Sequence, residues 1–481
     1  MSLVMERTSG LRPGSERLTV LSCDRGPSAP LRASLEAIAE RPFVEHVLAL
    51  PDLHHKENAE VPSSLAVVTR GALVPEFTSV AINDGMGVVV TDLTARDITH
   101  DLLANFFRRI NAHAASHVLA RNKYSLSAPD LARAAFAGGA AVLERYGLDP
   151  RVLEAMESGG RVEVPGAGCM LAHVVPALLR HTPAGRCEMG LNFGGNHFLE
   201  VQVVEAIADG HTAARWGLGT GRVVVTYHLG PGPFSGTLLH FYSRRKALKG
   251  PRVPWFLLGK LGFHMGRIRR HPARTWATLF RRNGITALAP ESEEGLHFRQ
   301  ALAMAVNVGY AYRLATVAAI RDALREAFRP PASARLLCDI PHNSLDEEQR
   351  DDGAVWVARH NACRWRPGRP AFIAGAHDVP SYLAIGRAGG AAELHSYDHG
   401  VGQLIEAHRH EHRLSASRDA TLRVTLARGV GGKDDGSSAM RAVEIVPVRS
   451  ALPVERVLDG YERRGTLMRV ARLRPLGTLK N

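Results

Sequence analysis

The sequence predicts an α+β protein in which a single intertwined catalytic domain spans residues 1–481. Short runs of β-branched and apolar residues, typical of strands, alternate irregularly with longer stretches that have the apolar spacing of helices. No repeat of solenoid period and no low-complexity linker divides the chain. The irregular alternation disfavours a doubly wound parallel sheet, so the α+β class is expected.

The predicted elements follow the chain in this order. Strands are expected at Val67 to Thr69, Val88 to Val90, Phe198 to Val204 and Arg222 to Tyr227. Helices are expected from Asp97 to Asn122 and from His297 to Phe328. The glycine-rich stretch from Gly429 to Ser438 is expected to be a flexible turn in a peripheral insertion. It is not a phosphate-binding P-loop, because Asp434 follows Lys433 where that motif has Ser or Thr.

Composition favours a large enzyme and excludes several classes of protein. The hydrophobic content of 45% is ample for a sizeable core. No stretch reaches the roughly 18 to 20 apolar residues of a membrane span, and Met1 to Arg7 lead into no secretory core. The chain is therefore expected to be cytoplasmic, with no membrane partner. Its five scattered cysteines form no C-x-x-C pair, which argues against a disulfide framework or a structural zinc site.

The positive charge is concentrated in one stretch. No Asp or Glu occurs from Gly210 to Pro290, whereas this stretch holds 14 Lys and Arg, more than the net charge of +13. Aromatic residues alternate with the cations at Trp255, Phe256, Trp276 and Phe280. Cations beside aromatic rings can neutralise phosphates and stack bases, so a basic insertion at about 234–290 is expected to form a polynucleotide groove. The alternative is a solvated basic surface whose aromatics belong to the core.

Four histidines occupy settings that do not suit core packing. They are His197 in Gly-Gly-Asn-His, His228 in Thr-Tyr-His-Leu-Gly, His342 in Pro-His-Asn and His399 in Asp-His-Gly-Val-Gly. Neutral imidazole is a common metal ligand and also a nucleophile, so these histidines are candidates for a chemical site. Each one alone is more simply explained as a hydrogen-bonded loop residue.

Taken in order, these strings resemble the RtcB family of RNA ligases. The resemblance extends from Pro51-Asp52-Leu53-His54 through Ala81-Ile82-Asn83-Asp84-Gly85 and the histidine strings to the closing Pro475-Leu476-Gly477-Thr478-Leu479-Lys480. It implies the family's packed β-sheets surrounded by helices. It also implies a GTP- and Mn²⁺-dependent enzyme that joins an RNA 3′-phosphate or 2′,3′-cyclic phosphate to a 5′-hydroxyl through a covalent histidine-guanylate. Broken or spliced RNA, including tRNA, is the implied partner, with an unknown helper protein possible in principle.

The resemblance also assigns site residues. The nucleophile would be His399, and the metal ligands would be Asp84, His197, His228 and His342. Gly400 and Gly402 would let the backbone approach the nucleotide phosphate. The remaining residues match positions around the guanylate: Asn196, Glu200, Asn343, Ser381 and Lys480. Among these, Glu200 would orient guanine N–H groups and Lys480 would contact the nucleotide near its ribose or base.

Several positions depart from the family pattern. Where the family has Asp-Ile-Asn-Cys-Gly, this chain has Ala81 and Asp84, so one carboxylate is lost and an oxygen ligand replaces a thiolate. One Mn²⁺ is therefore expected, and a second is doubtful. A Gly-Ser-Arg-Gly motif is replaced at 230–233, an Arg-Lys-Gly-Ala-Thr-Arg motif is replaced at 359–364, and Ala376 occupies the place of a serine. Two phosphate-contacting side chains are expected to be missing.

Three functions remain open from sequence. The first is an active RNA ligase or end-repair enzyme with altered metal use. The second is a guanylyl-transferring paralogue that caps 3′-phosphate ends. The third is a catalytically impaired RNA-binding pseudoenzyme. Retention of His399, the three ligand histidines and Lys480 favours chemistry over binding alone, because a binding module has no need of them.

Overall fold

The computed structural model describes residues 4–7, 17–23, 26–57, 59–113, 121–183, 185–187, 189–243, 253–280, 285–328, 332–388, 394–426 and 440–480. Within these residues the chain forms packed β-sheets surrounded by helices, which confirms the predicted α+β class. The predicted turn at Gly429 to Ser438 and the cations Arg244, Arg245 and Lys246 lie outside the described residues.

The strands are β1 Val4–Arg7, β2 Leu18–Ser22, β3 Val44–His54, β4 Ser63–Thr69, β5 Gly85–Thr94, β6 Phe198–Ile207, β7 Arg222–Leu229, β8 Ala334–Pro341, β9 Asn343–Arg350, β10 Gly353–His360, β11 Ala362–Arg364, β12 Pro370–Ile373, β13 Ser381–Gly386, β14 Ser396–Asp398, β15 Ala416–Leu426, β16 Met440–Arg449 and β17 Leu467–Lys480. Each of the four predicted strands lies within one of them, at β4, β5, β6 and β7.

The helices are α1 Ala29–Ala39, α2 His100–His113, α3 Ala128–Ala137, α4 Leu143–Tyr146, α5 Leu171–Val174, α6 Ala177–His181, α7 Gly210–Arg215, α8 Gly232–Tyr242, α9 Val253–Phe263, α10 Met265–Arg270, α11 Pro272–Leu279, α12 Glu293–Ala327, α13 Gly402–His410 and α14 Leu452–Arg463. Short 3₁₀ turns occur at Pro75–Phe77, Ala95–Asp97, Gly138–Val142, Pro150–Ala155 and Glu157–Gly160.

Both predicted helices exist with different ends. The helix expected from Asp97 begins only at His100, because the Asp97 carboxylate accepts hydrogen bonds from the backbone and hydroxyl of Thr94 and closes a separate 3₁₀ turn. It does not reach Asn122, whose side chain caps a turn by accepting from the Tyr124 amide. The second helix starts four residues before His297, since Ser292 caps its first turn.

Two large sheets form the centre of the molecule. The first has the strand order β1-β2-β3-β4-β10-β9. The second has the order β12-β13-β17-β6-β7-β5-β8, with β15 and β16 attached beside β17. Alternate residues along β3 point to different sides: Val47 and Ala49 join one hydrophobic cluster, whereas Leu48 and Leu50 join the other. Both clusters also contain residues of the second sheet, so side chains of both sheets are packed on both faces.

Helix α12 is the long central helix of the fold. Most of its residues are buried from Phe298 to Ala327, and they belong to the same cluster as β7 residues such as Tyr227. This helix is long and apolar enough to cross a membrane by composition, but 94% of the relevant window is buried inside the protein. It is therefore explained as a core helix.

The expected basic insertion at about 234–290 has two parts in the described structure. Residues 232–242 form α8, most of whose side chains are buried; its Ser235 hydroxyl donates to the carbonyl of Ala305 in α12 at 2.7 Å. Residues 253–279 form the three short helices α9, α10 and α11, which are largely exposed. That this region is an insertion stays a prediction.

Candidate active site

The register of the second sheet brings three of the predicted metal ligands together. Strand β5 pairs antiparallel with both β7 and β8, with Met86 opposite His228 and Gly85 opposite Pro341. Asp84 immediately precedes β5, and His342 immediately follows β8. Antiparallel strands place the start of one beside the end of its neighbours, so Asp84, His228 and His342 meet at one edge of the sheet.

His197 joins them through the next strand. Its neighbour Phe198 is the first residue of β6 and pairs with His228 on β7. The ring centroids of His197 and His228 are 5.1 Å apart, and those of His228 and His342 are 4.8 Å apart. The structure therefore brings all four predicted metal ligands into one cluster.

The Asp84 carboxylate faces the three imidazoles. Its Oδ2 lies 3.4 Å from Nε2 of His197, and its Oδ1 lies 3.5 Å from Nε2 of His228 and 3.6 Å from Nε2 of His342. Ligand atoms held about 2.1 Å from a single ion are roughly 3.0 to 3.5 Å from one another. The contacts of Asp84 are close to that spacing, and the ligand atoms of Asp84, His197 and His228 form one candidate metal group.

Three of the ligand atoms lack hydrogen-bond partners within the described part of the chain, whereas Nε2 of His197 contacts Oδ2 of Asp84. Among the described residues, Oδ1 of Asp84, Nε2 of His228 and Nε2 of His342 are buried without a hydrogen bond. Buried polar atoms are normally paired, so three orphaned atoms aimed at one point indicate a site for an external cation. One carboxylate and three imidazoles are a donor set that Mn²⁺ accepts.

Electrostatics keep this cluster in the form that binds metal. Burial lowers the pKa of His228 to about 3, and burial likewise lowers the pKa of His342. Burial alone would raise the pKa of Asp84, but the neighbouring His342 and His197 lower it more, so the net pKa is well below the usual value. Neutral imidazole and ionised carboxylate are the states that coordinate a metal.

His399 lies beside the same cluster, just after β14. Its ring stacks on that of His342 with centroids 4.4 Å apart, and it lies 5.4 Å from His228. Ligand atoms of His228, His342 and His399 form a second candidate metal group, which shares His228 with the group of Asp84 and His197. The described residues therefore offer two adjoining candidate metal groups.

The backbone around His399 is closely packed. The His399 carbonyl accepts from the Ala374 amide at 3.0 Å, and Gly400 forms an isolated bridge with Ala374. A side chain at Gly400 would place its Cβ 3.1 Å from the Ala374 carbonyl oxygen. A side chain at 400 would therefore require the Ala374 backbone to shift by a few tenths of an ångström. Gly402 lies in open space as the first residue of α13.

The tautomer of His399 follows from one hydrogen bond. Its Nδ1 is 3.2 Å from the carbonyl oxygen of Asn361, which can only accept, so Nδ1 carries the proton and Nε2 carries the lone pair. Burial, with contributions from His342 and His228, places the pKa of His399 well below its ordinary value. A neutral imidazole with a free Nε2 is the nucleophilic form.

A cavity of about 610 Å³ opens above His399. Of the predicted site residues, the following line it: Asn196, Glu200, His228, His399, Gly400, Gly402 and Lys480. The volume is within the range of small-molecule sites and is large enough for a nucleotide. Asp84, His197 and His342 lie beside the cavity in the cluster, in contact with His228.

Glu200 is buried in this cavity wall, and both of its carboxyl oxygens accept hydrogen bonds. The hydroxyl of Thr478 donates to Oε1 of Glu200 at 2.6 Å, and the Gln202 amide donates to Oε2 and also to the Ser381 hydroxyl. Burial raises the pKa of Glu200 to about 8. The Ser381 hydroxyl also accepts from the Gly375 amide at 3.0 Å. Ser381 therefore lies behind the cavity wall, supporting Gln202 and Gly375.

Asn343 supports the backbone at Asn361 and Asn83 through hydrogen bonds. Its side-chain oxygen accepts from the Asn361 amide at 2.9 Å, and its carbonyl accepts from the Asn83 amide at 2.8 Å. Asn361 is the residue whose carbonyl holds His399, and it has a positive φ of 52°. The family's glycine at this place is thus replaced by asparagine, which tolerates the left-handed region. Asn343 does not line the 610 Å³ cavity.

Sequence reasoning missed several cavity residues. Lys56 and Arg423 line the cavity together with Lys480, so its wall carries three cationic side chains that can contact phosphate groups. Burial lowers the pKa of Lys56, an effect that Asp84 opposes. Lys56 follows the Pro-Asp-Leu-His string closely, which is a usable signal. Arg423 lies in mid-strand on β15, and nothing in its local sequence marks it.

Asp52 and Arg313 were also missed. The Asp52 carboxylate accepts from the Leu404 amide at 3.0 Å and so caps the start of α13, directly after Gly402. Arg313 of α12 is fully buried, and its guanidinium forms an ion pair with Asp339 at 2.6 Å and donates to Oδ1 of Asn83 at 3.2 Å. It fixes the turn that carries Asp84.

Comparison with known proteins agrees with this geometry. The family model described as tRNA-splicing ligase RtcB matches residues 34–481. A protein named tRNA-splicing ligase RtcB from Pyrococcus furiosus is 28% identical over 427 residues, covering 83% of this chain and 40% of that protein. One of the same name from Thermococcus kodakarensis is 25% identical over 467 residues, covering 91% and 88%.

A bacterial relative is similar over nearly its whole length. The RNA-splicing ligase RtcB of Mycobacterium tuberculosis is 26% identical over 456 residues, covering 90% of this chain and 96% of that protein. The chain spans about two fifths of the length of the Pyrococcus relatives it matches. Since the family model covers more than nine tenths of the sequence, including every residue of the histidine cluster, the chain belongs to the RtcB family, as a divergent member.

Proposed function

We propose that this protein is a GTP- and Mn²⁺-dependent RNA ligase or end-repair enzyme. It joins an RNA 3′-phosphate or 2′,3′-cyclic phosphate to a 5′-hydroxyl through a covalent guanylate on His399. The observation that carries the proposal is the placement of His399: its Nε2 is free, its Nδ1 is held by Asn361, and it adjoins both a candidate metal cluster and a nucleotide-sized cavity.

In the first step Nε2 of His399 attacks the α-phosphorus of GTP. A nitrogen–phosphorus bond forms, the bond to the β-phosphate oxygen breaks, and pyrophosphate leaves with the electron pair. The imidazole needs no base, because burial keeps it neutral. Positive charge that develops on the ring is stabilised by the hydrogen bond from Nδ1–H to the Asn361 carbonyl.

The residues around the cavity bind and orient the nucleotide. Glu200 accepts N–H groups of guanine once it is ionised, and Lys480 contacts the ribose or base. The cations of Lys56 and Arg423 face the same space and replace phosphate contacts that the divergent segments at 230–233 and 359–364 have lost. Asp84, His197, His228 and His342 would hold a metal ion, which would supply positive charge to neutralise phosphate oxygens when bound.

In the second step the guanylate passes to an RNA 3′-phosphate; a 2′,3′-cyclic phosphate is first opened by water, which breaks the bond from phosphorus to O2′ and gives that 3′-phosphate. An oxygen of the 3′-phosphate attacks the phosphorus on His399, which returns the electron pair to Nε2. The resulting RNA end carries GMP as a leaving group, and attack by the 5′-hydroxyl forms the phosphodiester and releases GMP. RNA with broken or spliced ends, such as tRNA, is the proposed partner.

A second candidate function stops before the joining step. It is a guanylyl-transferring paralogue that caps 3′-phosphate ends. Two sequence changes favour it: Ala81 reduces the ligands available for a second metal ion, and the altered 359–364 segment reduces the contacts available for RNA phosphates. A pseudoenzyme is disfavoured, since the histidine cluster and the Nδ1 hydrogen bond of His399 are intact.

Labelled GTP with Mn²⁺ tests the proposal in two stages. We expect acid-labile covalent label on the wild-type chain and none on His399→Ala, because no other imidazole replaces that nucleophile. His410→Ala, on α13, is the matched control and keeps the label. Label that persists in His399→Ala contradicts the assignment, and absence of label in the wild type supports the pseudoenzyme. Joining of 3′-phosphate RNA to 5′-hydroxyl RNA then separates ligase from capping enzyme.

A further inference from the structure

Helix α9 buries its one charged side chain and exposes apolar side chains, which is the reverse of an ordinary surface helix. Its sequence, Val-Pro-Trp-Phe-Leu-Leu-Gly-Lys-Leu-Gly-Phe, contains one charged residue, Lys260, whose exposure is only 2%. The Lys260 ammonium donates to the carbonyls of His240 at 2.6 Å and Ser243 at 2.8 Å. A surface helix normally turns its charges to water and its apolar side chains to the core.

The outer face of α9 is apolar instead. Trp255 is 76% exposed and Leu258 is 58% exposed. Among the described residues, five of the nine exposed large hydrophobic side chains fall between Trp255 and Trp276, in these three short helices. Five exposed apolar side chains on three consecutive helices matter, because groups of exposed apolar residues mark interaction sites, whereas single exposed residues do not.

This orientation is fixed by contacts on the inner face. The Phe256 ring packs on Phe241 of α8 with centroids 4.8 Å apart, and Phe263 packs on the same ring at 5.7 Å. Nε2 of His264 lies 2.8 Å from the Phe241 carbonyl oxygen. Lys260 also lies 5.5 Å from the ring of Phe280, which follows α11. These contacts attach α9 to α8 and leave Trp255 and Leu258 on the exposed side of the helix.

The surroundings of this face are cationic. Arg269 is exposed and has no ion-pair partner within the part of the chain that the structure describes. Arg270 and Arg274 are also exposed, and they pair with Glu293 at 2.9 Å and Glu294 at 2.6 Å at the start of α12. The stretch from Gly210 to Pro290 itself contains no carboxylate side chain. A negatively charged surface is the electrostatic complement.

We propose that the surface formed by α9, α10 and α11 docks on a membrane bearing anionic lipid headgroups. Trp and Leu side chains would enter the headgroup and acyl boundary, and the neighbouring arginines would contact the lipid phosphates. A second copy of the chain is the wrong partner, since two acid-free basic stretches repel each other. The proposal is independent of the catalytic function and revises the sequence-based expectation of no membrane partner.

An RNA surface explains only part of this set of residues: the exposed rings of Trp255 and Trp276 and the exposed Arg269 would suit RNA, but the aliphatic side chains between them would not. RNA recognition needs cations interspersed with stacking rings. On α9 the single cation points inward, and the exposed side chains include Leu257, Leu258 and, on α10, Met265, which neither stack on bases nor neutralise phosphates. The Arg267 guanidinium is half-buried 5.6 Å from the Tyr242 ring. The polynucleotide groove expected from sequence therefore gives way to a lipid-facing surface in this proposal.

Sedimentation with vesicles tests the proposal on the full chain. We expect the wild type to bind vesicles containing phosphatidylglycerol and to bind pure phosphatidylcholine vesicles much more weakly. Trp255→Glu/Leu258→Glu should lower the partition coefficient by at least about tenfold, because two apolar anchors are replaced by carboxylates. Arg269→Ala should lower it by about fivefold on anionic vesicles.

Controls separate docking from misfolding. Leu178→Glu is the matched control, since Leu178 is 50% exposed outside this surface, and it should bind vesicles as the wild type does. Circular dichroism and covalent guanylate labelling should be unchanged in every variant. No vesicle binding by the wild type overturns the proposal, and so does equal loss in Leu178→Glu. Single-stranded RNA binding that disappears in Trp255→Glu/Leu258→Glu without any vesicle binding assigns the surface to RNA instead.

Discussion

Asn83 and Asp84 are neighbours in the sequence, but their side chains have opposite surroundings. Asn83 is held on all sides: its amide group donates to the Val306 carbonyl at 2.7 Å, and Arg313 donates to both its side-chain and main-chain oxygens. Asp84 faces three imidazoles at 3.4 to 3.6 Å, and its Oδ1 lacks a hydrogen bond. One residue anchors the turn, and the other points into the site.

The same contrast separates two layers of the molecule. The inner layer, formed by Asn83, Arg313, Asp339 and Tyr227, is a closed polar network in which Asp339 accepts from both Arg313 and the Tyr227 hydroxyl. The outer layer, formed by Asp84 and the histidines, leaves buried ligand atoms unpaired. Closed networks rigidify a fold, whereas unpaired buried atoms are retained for an external ligand. The inner layer thus keeps the turn that carries Asp84 in position for binding an external ligand.

The largest expected effect concerns the inner layer. Arg313→Met should lower the free energy of unfolding by about 3–5 kcal/mol, because it leaves the buried Asp339 carboxylate uncompensated. Urea unfolding measures the change. Arg109→Met, which breaks an exposed pair with Glu326, is the matched control and should cost roughly 0–1 kcal/mol. Adding Asp339→Leu to Arg313→Met should recover part of the loss; equal costs for the buried and exposed variants would show that the inner layer is not the anchor.

The outer layer should respond in the opposite way. Asp84→Asn should lower the affinity for Mn²⁺ by roughly tenfold or more, since an anionic oxygen ligand is lost. Unfolding of the metal-free protein should change by no more than about 1 kcal/mol, because the Asp84 carboxylate makes only long contacts within the protein, at 3.4 to 3.6 Å. Calorimetric titration of chelator-treated protein measures the affinity, and Mn²⁺ should raise the Tm of the wild type more than that of the variant.

Two results would contradict this reading of Asp84. One is a metal affinity that does not change in Asp84→Asn. The other is a loss of stability in the metal-free variant as large as that of Arg313→Met. Either result would mean that Asp84 belongs to the structural network and that the unpaired atoms of His228 and His342 bind no cation through it.

The third expected effect concerns pH. The pKa of Glu200 is raised to about 8, so the folded protein keeps this proton while the unfolded chain, with a value near 4.5, loses it. The free energy of unfolding therefore falls as pH rises from about 4.5 to about 8, by about 1.4 kcal/mol per pH unit from this group. Glu200→Gln should remove that slope, measured as the difference between the two proteins in urea unfolding.

A matched carboxyl supplies the control for Glu200. Glu406 lines the same cavity but is exposed, so Glu406→Gln should leave the pH profile of stability unchanged. If Glu200→Gln and wild type share one pH slope, the Thr478 and Gln202 hydrogen bonds hold an ionised carboxylate, and Glu200 is ready to accept guanine N–H groups at neutral pH.

The sequence indicated many residues of the candidate site, and the structure shows where each of them lies. The strings around His197, His228, His342 and His399 gave the residues that the fold brings together. Asn343 and Ser381 were predicted near the nucleotide, but their contacts place them behind the cavity wall. Short motifs identify which residues belong to a site, whereas the direction of a side chain depends on the strand and turn around it.

Helix ends and supporting residues were less predictable for a related reason. The helix expected from Asp97 begins at His100 because a local hydrogen bond to Thr94 competes with the helical pattern. Arg313 looks like any arginine of an apolar helix, and its role depends on Asp339 and Asn83, which lie 26 and 230 residues away in the chain. No local pattern encodes such a pairing.

The sequence by itself determined the α+β class, the family and the set of chemical groups, because strand periodicity and histidine strings are local properties. Only the tertiary structure decided how those groups act: the register of β5 with β7 and β8 brings Asp84 to its histidines, and the Asn361 carbonyl selects the tautomer of His399. Tertiary packing likewise turned Lys260 inward and left Trp255 outside. The physical reason is that burial and orientation depend on contacts between distant segments, which form only when the chain packs.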